Sequence, residues 1–153
     1  MKKIKVGIIG CGSISDIYLK NLPRFEAIEL VCCADLDNER ANQKAVQYGI
    51  QSLSVEELIA SPDIELVLNL TIPSAHAEVS LKALHAGKHV YIEKPLATSR
   101  EDGQKILELA NQKGLYVGSA PDTVLGGGIQ TCKKIIADGW IGKPVAATAF
   151  MMG

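Results

Sequence analysis

The chain has 153 residues, 16 basic and 17 acidic side chains and a formal net charge of −1, enough for one well-packed domain. No basic block stands out, which argues against nucleic acid or an anionic membrane surface as a partner. The apolar share of 47% suits strands buried on both faces, and no stretch reaches the ~18 apolar residues of a membrane span.

In chain order, the first apolar run is Ile4–Ile9, too short and too interrupted by Lys5 for a signal segment, so a cytoplasmic location is expected. A helix follows, with Ile14, Ile17, Tyr18 and Leu22 on one apolar stripe. A second strand spans Ile28–Ala34. Asp37 then caps a helix that runs to about Tyr48 and stops at Gly49. After a short strand near Gln51–Leu53, Ser54 and Glu57 form a capping box ahead of Leu58 and Ile59. A strand over Ile64–Leu70 leads to Ser74, which caps the next helix, and Gly87 closes it behind Val79, Ala83 and Leu84. His89–Ile92 and Leu115–Gly118 are the last two strands of this series, separated by a helix opened by Ser99 and Asp102 and ended by Gly114. The repeated order of strand, helix and glycine predicts an α/β protein with a doubly wound parallel sheet.

The pattern changes near Ala120. Three consecutive glycines precede a helix over Ile129–Ala137, with Ile129, Cys132, Ile135 and Ile136 facing inward, and a β-like run over Val145–Met152. Cys11, Cys32, Cys33 and Cys132 match no zinc spacing and read as reduced, packing thiols; no metal site is expected.

Ligands of doubly wound sheets sit at the carboxyl ends of the strands. The first end, Gly10-Cys11-Gly12-Ser13-Ile14-Ser15, fills two of the three glycines of a dinucleotide fingerprint and puts Ser15 at the third, a packing position. Gly10 allows the turn, and Gly12 lets the backbone approach a pyrophosphate. The second end offers Asp35 to an adenosine ribose, which favours NAD over NADP, because the nearest arginine, Arg40, is a helical turn farther on. At the third, Thr71 and Pro73 shape a loop, and His76 is as readily a packed first-turn histidine as a site residue. The fourth is Glu93-Lys94-Pro95, which reads either as a charged loop or as a lysine aimed by the X-Pro geometry to share the proton of a reacting hydroxyl.

Gly10-Cys11-Gly12, Asp35, the stretch from Thr71 to Ala97 and above all Glu93-Lys94-Pro95 resemble the glucose-fructose oxidoreductase / inositol dehydrogenase family, Gfo/Idh/MocA. The resemblance implies a Rossmann domain over residues 1–120, followed over residues 121–153 by a connecting loop, a helix and the first strand of a truncated second α/β domain. It implies an NAD(P)-dependent oxidoreductase acting on a sugar, cyclitol or related polyol, with NAD preferred and a homo-oligomer in the full-length form. By position, Gly10, Gly12, Ser13 and Ile14 would contact the pyrophosphate, and Asp35 with Leu36 the adenosine ribose. Thr71, Ile72, Pro73 and His76 would border the cofactor toward its nicotinamide. Glu93 would lie by the nicotinamide ribose, and Lys94 would be both cofactor contact and catalytic group, its bond to Pro95 a candidate for cis. The family's Asp and His partners to that lysine lie in its second domain and have no counterpart in this sequence. "GSAPDTVLGGG" also stands where many members carry an Asn and Arg pair. The chain is therefore expected to bind nucleotide without the full catalytic set. A non-catalytic nucleotide-binding or sensing module is the alternative reading, and an adenosylmethionine-dependent methyl-transfer domain is a weaker one.

Overall fold

Six short apolar runs become one parallel sheet: β1 (Ile4–Ile9), β2 (Ile28–Ala34), β3 (Gln51–Ser52), β4 (Leu66–Asn69), β5 (His89–Ile92) and β6 (Val117–Ser119), in the order β3-β2-β1-β4-β5-β6. The computed structural model describes residues 2–121 and 123–150, and the chain divides into two units between Ala120 and Pro121. Between the strands of the first unit run α1 (Ser15–Asn21), α2 (Asn38–Tyr48), α3 (Val55–Ala60), α4 (His76–His85) and α5 (Arg100–Lys113). Every strand pair is parallel, so each connection must cross a face of the sheet, and the helices cover both faces.

Two separate cores result. On one face Leu19 of α1, Leu22 and Ala41 and Ala45 of α2 pack on Val6, Ile8, Cys33, Leu68 and Leu70. On the other, Leu58 of α3, Ala83 and Leu84 of α4, and Ile106 and Ala110 of α5 pack on Ile9, Cys32, Val67, Val90 and Ile92. Strands buried on both sides need apolar residues at successive positions, which is why they read as continuous runs. Gly7 is part of this fit: a Cβ there would stand 3.0 Å from Leu58 Cγ.

The helix boundaries follow their local chemistry. Asp37 accepts from the N–H groups of Glu39 and Arg40, and Gly49 ends α2 in the left-handed conformation. Ser54 and Glu57 close a reciprocal capping box on α3. Ser99 accepts from Asp102 N at the start of α5. Ser74 does not cap α4. It lies within a 3-10 turn, Pro73–Ala75, that feeds the helix directly, and the position before the helix is Ala75.

The apolar stripe expected on the first helix is displaced. Ser15, Leu19 and Leu22 are buried, whereas Ile17 is 60% exposed and Ile14 lies at the surface. The helix begins at Ser15, later than the stripe assumed, and a shift of one residue turns the buried face by about 100°. Asp16 fixes this orientation, accepting from Lys44 Nζ at 2.5 Å and Tyr48 Oη at 2.9 Å on α2.

Three cysteines are buried packing thiols, and Cys132 is exposed. Burial pushes the Cys32 thiol up to about 12, from an ordinary 9.0, with Cys33 adding to the effect. The folded state thus keeps this thiol neutral, while the unfolded chain ionises it near 9.0. Its contribution to stability is complete below that pH and is lost as pH rises toward about 12. Thermal unfolding followed across this window is expected to show a steeper alkaline decline for wild type than for Cys32→Ala; equal slopes would refute the assignment.

The second unit contains a 3-10 turn, Thr123–Leu125, and α6 (Gly127–Ala137). Its helix starts two residues earlier than the expected Ile129. Ile129 and Ile136 are about half exposed and Cys132 is exposed, so the predicted inward face is not buried. The strand expected over Val145–Met152 is also absent from residues 145–150, which have no regular structure and leave Val145 and Phe150 exposed. A strand needs a neighbour to take its N–H and C=O groups, and none among the described residues pairs with these. Met151 and Met152 lie outside the described residues.

Candidate functional site

The sheet order reverses between β1 and β4, where the connections leave toward opposite faces and open a crevice at the carboxyl ends of the strands. Gly10 makes the turn out of β1 at φ +103°, and a Cβ there would stand 2.6 Å from the Leu70 carbonyl carbon and oxygen. Only glycine satisfies both the backbone angle and this close approach to the chain leaving β4. Gly12 differs. An added Cβ meets no atom within 4 Å, so the loop's outer face is open to a ligand.

Ser15, at the third fingerprint position, is fully buried. Its Oγ donates to Gly12 O at 2.6 Å and its N–H to the same oxygen at 3.0 Å. The hydroxyl therefore closes the loop from inside, a task glycine cannot perform. Gly10 N donates to Ala34 O and Cys11 N to Asp35 Oδ2, whereas the N–H groups of Gly12, Ser13 and Ile14 have no hydrogen-bond acceptor among the described residues. Three successive unspent donors beside open space suit the oxygens of a pyrophosphate.

At the end of β2, Asp35 takes Cys11 N at 2.7 Å on Oδ2 and Asp37 N at 2.9 Å on Oδ1. These bonds hold the carboxylate against the glycine loop. Leu36 is 94% exposed beside it. Arg40 is closer than its place in the sequence suggested. Its Nη1 lies 3.3 Å from Asp35 Oδ1, and its Nη2 lies 3.2 Å from Asp37 Oδ2. One helical turn of α2 carries the guanidinium back over the strand end, so an arginine does stand beside Asp35.

Beyond β4, Asn69 organises the third loop. Its Nδ2 donates to His76 O at 3.0 Å and to Ser80 Oγ at 2.9 Å, and its Oδ1 accepts from Thr71 Oγ1 at 2.6 Å. Thr71 is half-buried, and Ile72 and Pro73 are exposed along the crevice. His76 is buried inside the loop rather than exposed along the crevice. It is 1% exposed, with Nδ1 2.6 Å from Pro95 O and Nε2 3.0 Å from Thr71 O. Either neutral tautomer donates to one carbonyl and the doubly protonated ring to both, so neither nitrogen remains for a ligand.

The fourth loop follows β5. Glu93 Oε1 accepts from Tyr18 Oη at 2.7 Å, and Oε2 accepts from the Lys94 N–H at 3.0 Å. Lys94 is exposed, its ammonium makes no hydrogen bond or ion pair among the described residues, and its bond to Pro95 is cis. The structure thus brings Gly12, Ser13, Ile14, Asp35, Thr71, Ile72, Pro73, Glu93 and Lys94 to one edge of the sheet. Tyr18, Asn69 and Arg40 are the site residues that sequence reasoning passed over. A lone Asn closing an otherwise apolar strand was the clearest available signal among them.

The family model GFO_IDH_MocA, an oxidoreductase family with an NAD-binding Rossmann fold, matches residues 4–120. The chain is 34% identical over 146 residues to a 1,5-anhydro-D-fructose reductase of Ensifer adhaerens, covering 94% of this chain and 44% of that protein. It is 34% identical over 149 residues to inositol 2-dehydrogenase 3 of Saccharopolyspora erythraea, again covering 94% and 44%. A 3-ketoreductase from Actinomadura kijaniata, solved with NADP and TDP-benzene, superposes with a TM-score of 0.85 at 26% identity, over 90% of this chain and 43% of that one. The chain spans less than half the length of these relatives.

Proposed function

The chain belongs to this oxidoreductase family and is an NAD-binding Rossmann domain, and from that premise we propose that it holds NAD across the β1–β4 crevice. The proposed reaction is hydride transfer between the nicotinamide and a sugar, cyclitol or related polyol. What carries the reading is the edge itself: an open glycine loop with three unspent N–H donors, an anchored Asp35 and an unpartnered Lys94 ammonium share one mouth.

Gly12, Ser13 and Ile14 would bind the pyrophosphate through their N–H groups. Asp35 retains lone pairs to accept from the ribose hydroxyls, with Leu36 against the adenosine. Thr71, Ile72 and Pro73 would border the nicotinamide half, and Glu93 its ribose. Hydride acceptance or donation is the chemistry a bound nicotinamide supplies there. Lys94 is the residue we assign to proton exchange with the reacting hydroxyl, since it faces solvent with all three N–H donors uncommitted. The second unit is proposed as the connection, through α6, toward a substrate-binding region.

NAD is favoured over NADP because the Asp35 carboxylate would repel a 2′-phosphate. Arg40 softens that preference: a guanidinium bridging Asp35 and Asp37 partly offsets the negative charge and lies within reach of such a phosphate. Fluorescence titration with NADH and NADPH is expected to give saturable binding of both, NADH tighter by about tenfold, a difference of roughly 1.4 kcal/mol. Absence of NADH binding at millimolar concentration would sink the proposal, and tighter NADPH binding would reverse the preference.

A further inference from the structure

We propose that Tyr18 is a positioning residue for Lys94, a role that rests on the NAD reading above and that no sequence motif singles out. Tyr18 sits on α1, the helix that leaves the glycine loop, and its Oη donates to Glu93 Oε1 at 2.7 Å across 75 positions of sequence. The other oxygen of the same carboxylate accepts the Lys94 N–H at 3.0 Å. One side chain thereby joins the helix behind the pyrophosphate loop to the peptide unit that carries the lysine. The far end of the turn is held independently, by His76 Nδ1 at 2.6 Å from Pro95 O.

The turn is thus braced at its first and third residues from two different helices, and only the Lys94 side chain is left free to move. A phenol donating to a carboxylate is a charge-assisted bond, stronger than its neutral counterparts. It anchors Glu93, whose two oxygens each accept one hydrogen bond within the protein. The glycine loop and the lysine turn then keep a constant separation, which is what a dinucleotide with its pyrophosphate at one and its nicotinamide at the other requires. Tyr18 acts through Glu93.

Tyr18→Phe keeps the ring and its packing and deletes only the hydroxyl. ADP-ribose, which contains the adenosine and pyrophosphate but lacks the nicotinamide, separates the two halves of the site. In the Tyr18→Phe chain, the Kd for NADH is expected to rise about fivefold to tenfold, the loss of one hydrogen bond to a charged group, while that for ADP-ribose stays within about twofold. Amide exchange at Lys94 should accelerate about fivefold with exchange at Ile92 unchanged. In a Glu93→Ala background the same substitution should add less than about twofold, because the intermediary is gone. Equal weakening of both ligands would reduce Tyr18 to a general structural role, and unchanged NADH binding with unchanged Lys94 exchange would overturn the brace outright. A wild-type chain that binds neither ligand would remove the NAD reading, and Lys94 amide exchange would still accept or reject the brace by itself.

Discussion

Lys94→Ala is expected to lower the proposed hydride transfer by about 10²–10⁴-fold, with NADH affinity held within about threefold. The expectation follows from the contrast between the turn and its side chain. The turn from Glu93 to Pro95 is held by Tyr18 and His76 whatever residue stands at 94, so removing the ammonium leaves the turn in place. What is lost is the exposed ammonium to which proton exchange is assigned. Lys94→Arg sharpens the test, since a guanidinium retains the positive charge and does not release its proton in the working range. If proton exchange is the role, the arginine variant should be nearly as slow as the alanine variant. Steady-state NAD reduction with a polyol substrate, read beside NADH titration, decides this; wild-type turnover in Lys94→Ala would remove the lysine from the mechanism.

The two loop glycines should fail in opposite ways. Gly12→Val is expected to weaken NADH binding more than about 100-fold while leaving the unfolding temperature essentially unchanged, because the added Cβ meets no protein atom within 4 Å. Gly10→Ala should instead destabilise the fold by at least about 3 kcal/mol. Its Cβ would stand 2.6 Å from backbone atoms of Leu70 at a φ of +103°, and backbone cannot rotate aside as the tip of a side chain does. Urea unfolding and NADH titration on both variants separate the two effects. A Gly12→Val chain that binds NADH normally would show that the loop does not receive the pyrophosphate.

Much of this frame was legible in the sequence. Ile4–Ile9, Ile28–Ala34 and His89–Ile92 are recovered to the residue, because strands buried on both faces are written as unbroken apolar runs. The caps at Asp37, Ser54 and Ser99 are legible for a similar reason: each is a local hydrogen bond between residues two or three apart. Failures came where geometry depends on more distant partners. Tyr18 looked like one more apolar residue of a stripe, and its hydroxyl acquires meaning only when Glu93 arrives from another connection. Arg40 was discounted by its distance along the chain, which a helical turn abolishes. His76 shows the reverse: its place in the motif is legible, and its burial between two carbonyls is not. Residues 145–150 have strand composition and no strand, since composition sets a preference and pairing decides the outcome.

The central place of β1 also sets an order of events during synthesis. Val6 pairs on one side with Leu30 and on the other with Leu66, so its second neighbour is made about sixty residues after it. A growing chain can join β1 to β2 early, through the short α1 connection, whereas closing β4 onto the other edge requires a far larger loop to be brought together. Until that happens one side of this central strand has no partner, and Gly10 has no Leu70 backbone to lie against. The crevice at the carboxyl ends of the strands is therefore completed only once β4 has been made, although its glycine loop is made well before.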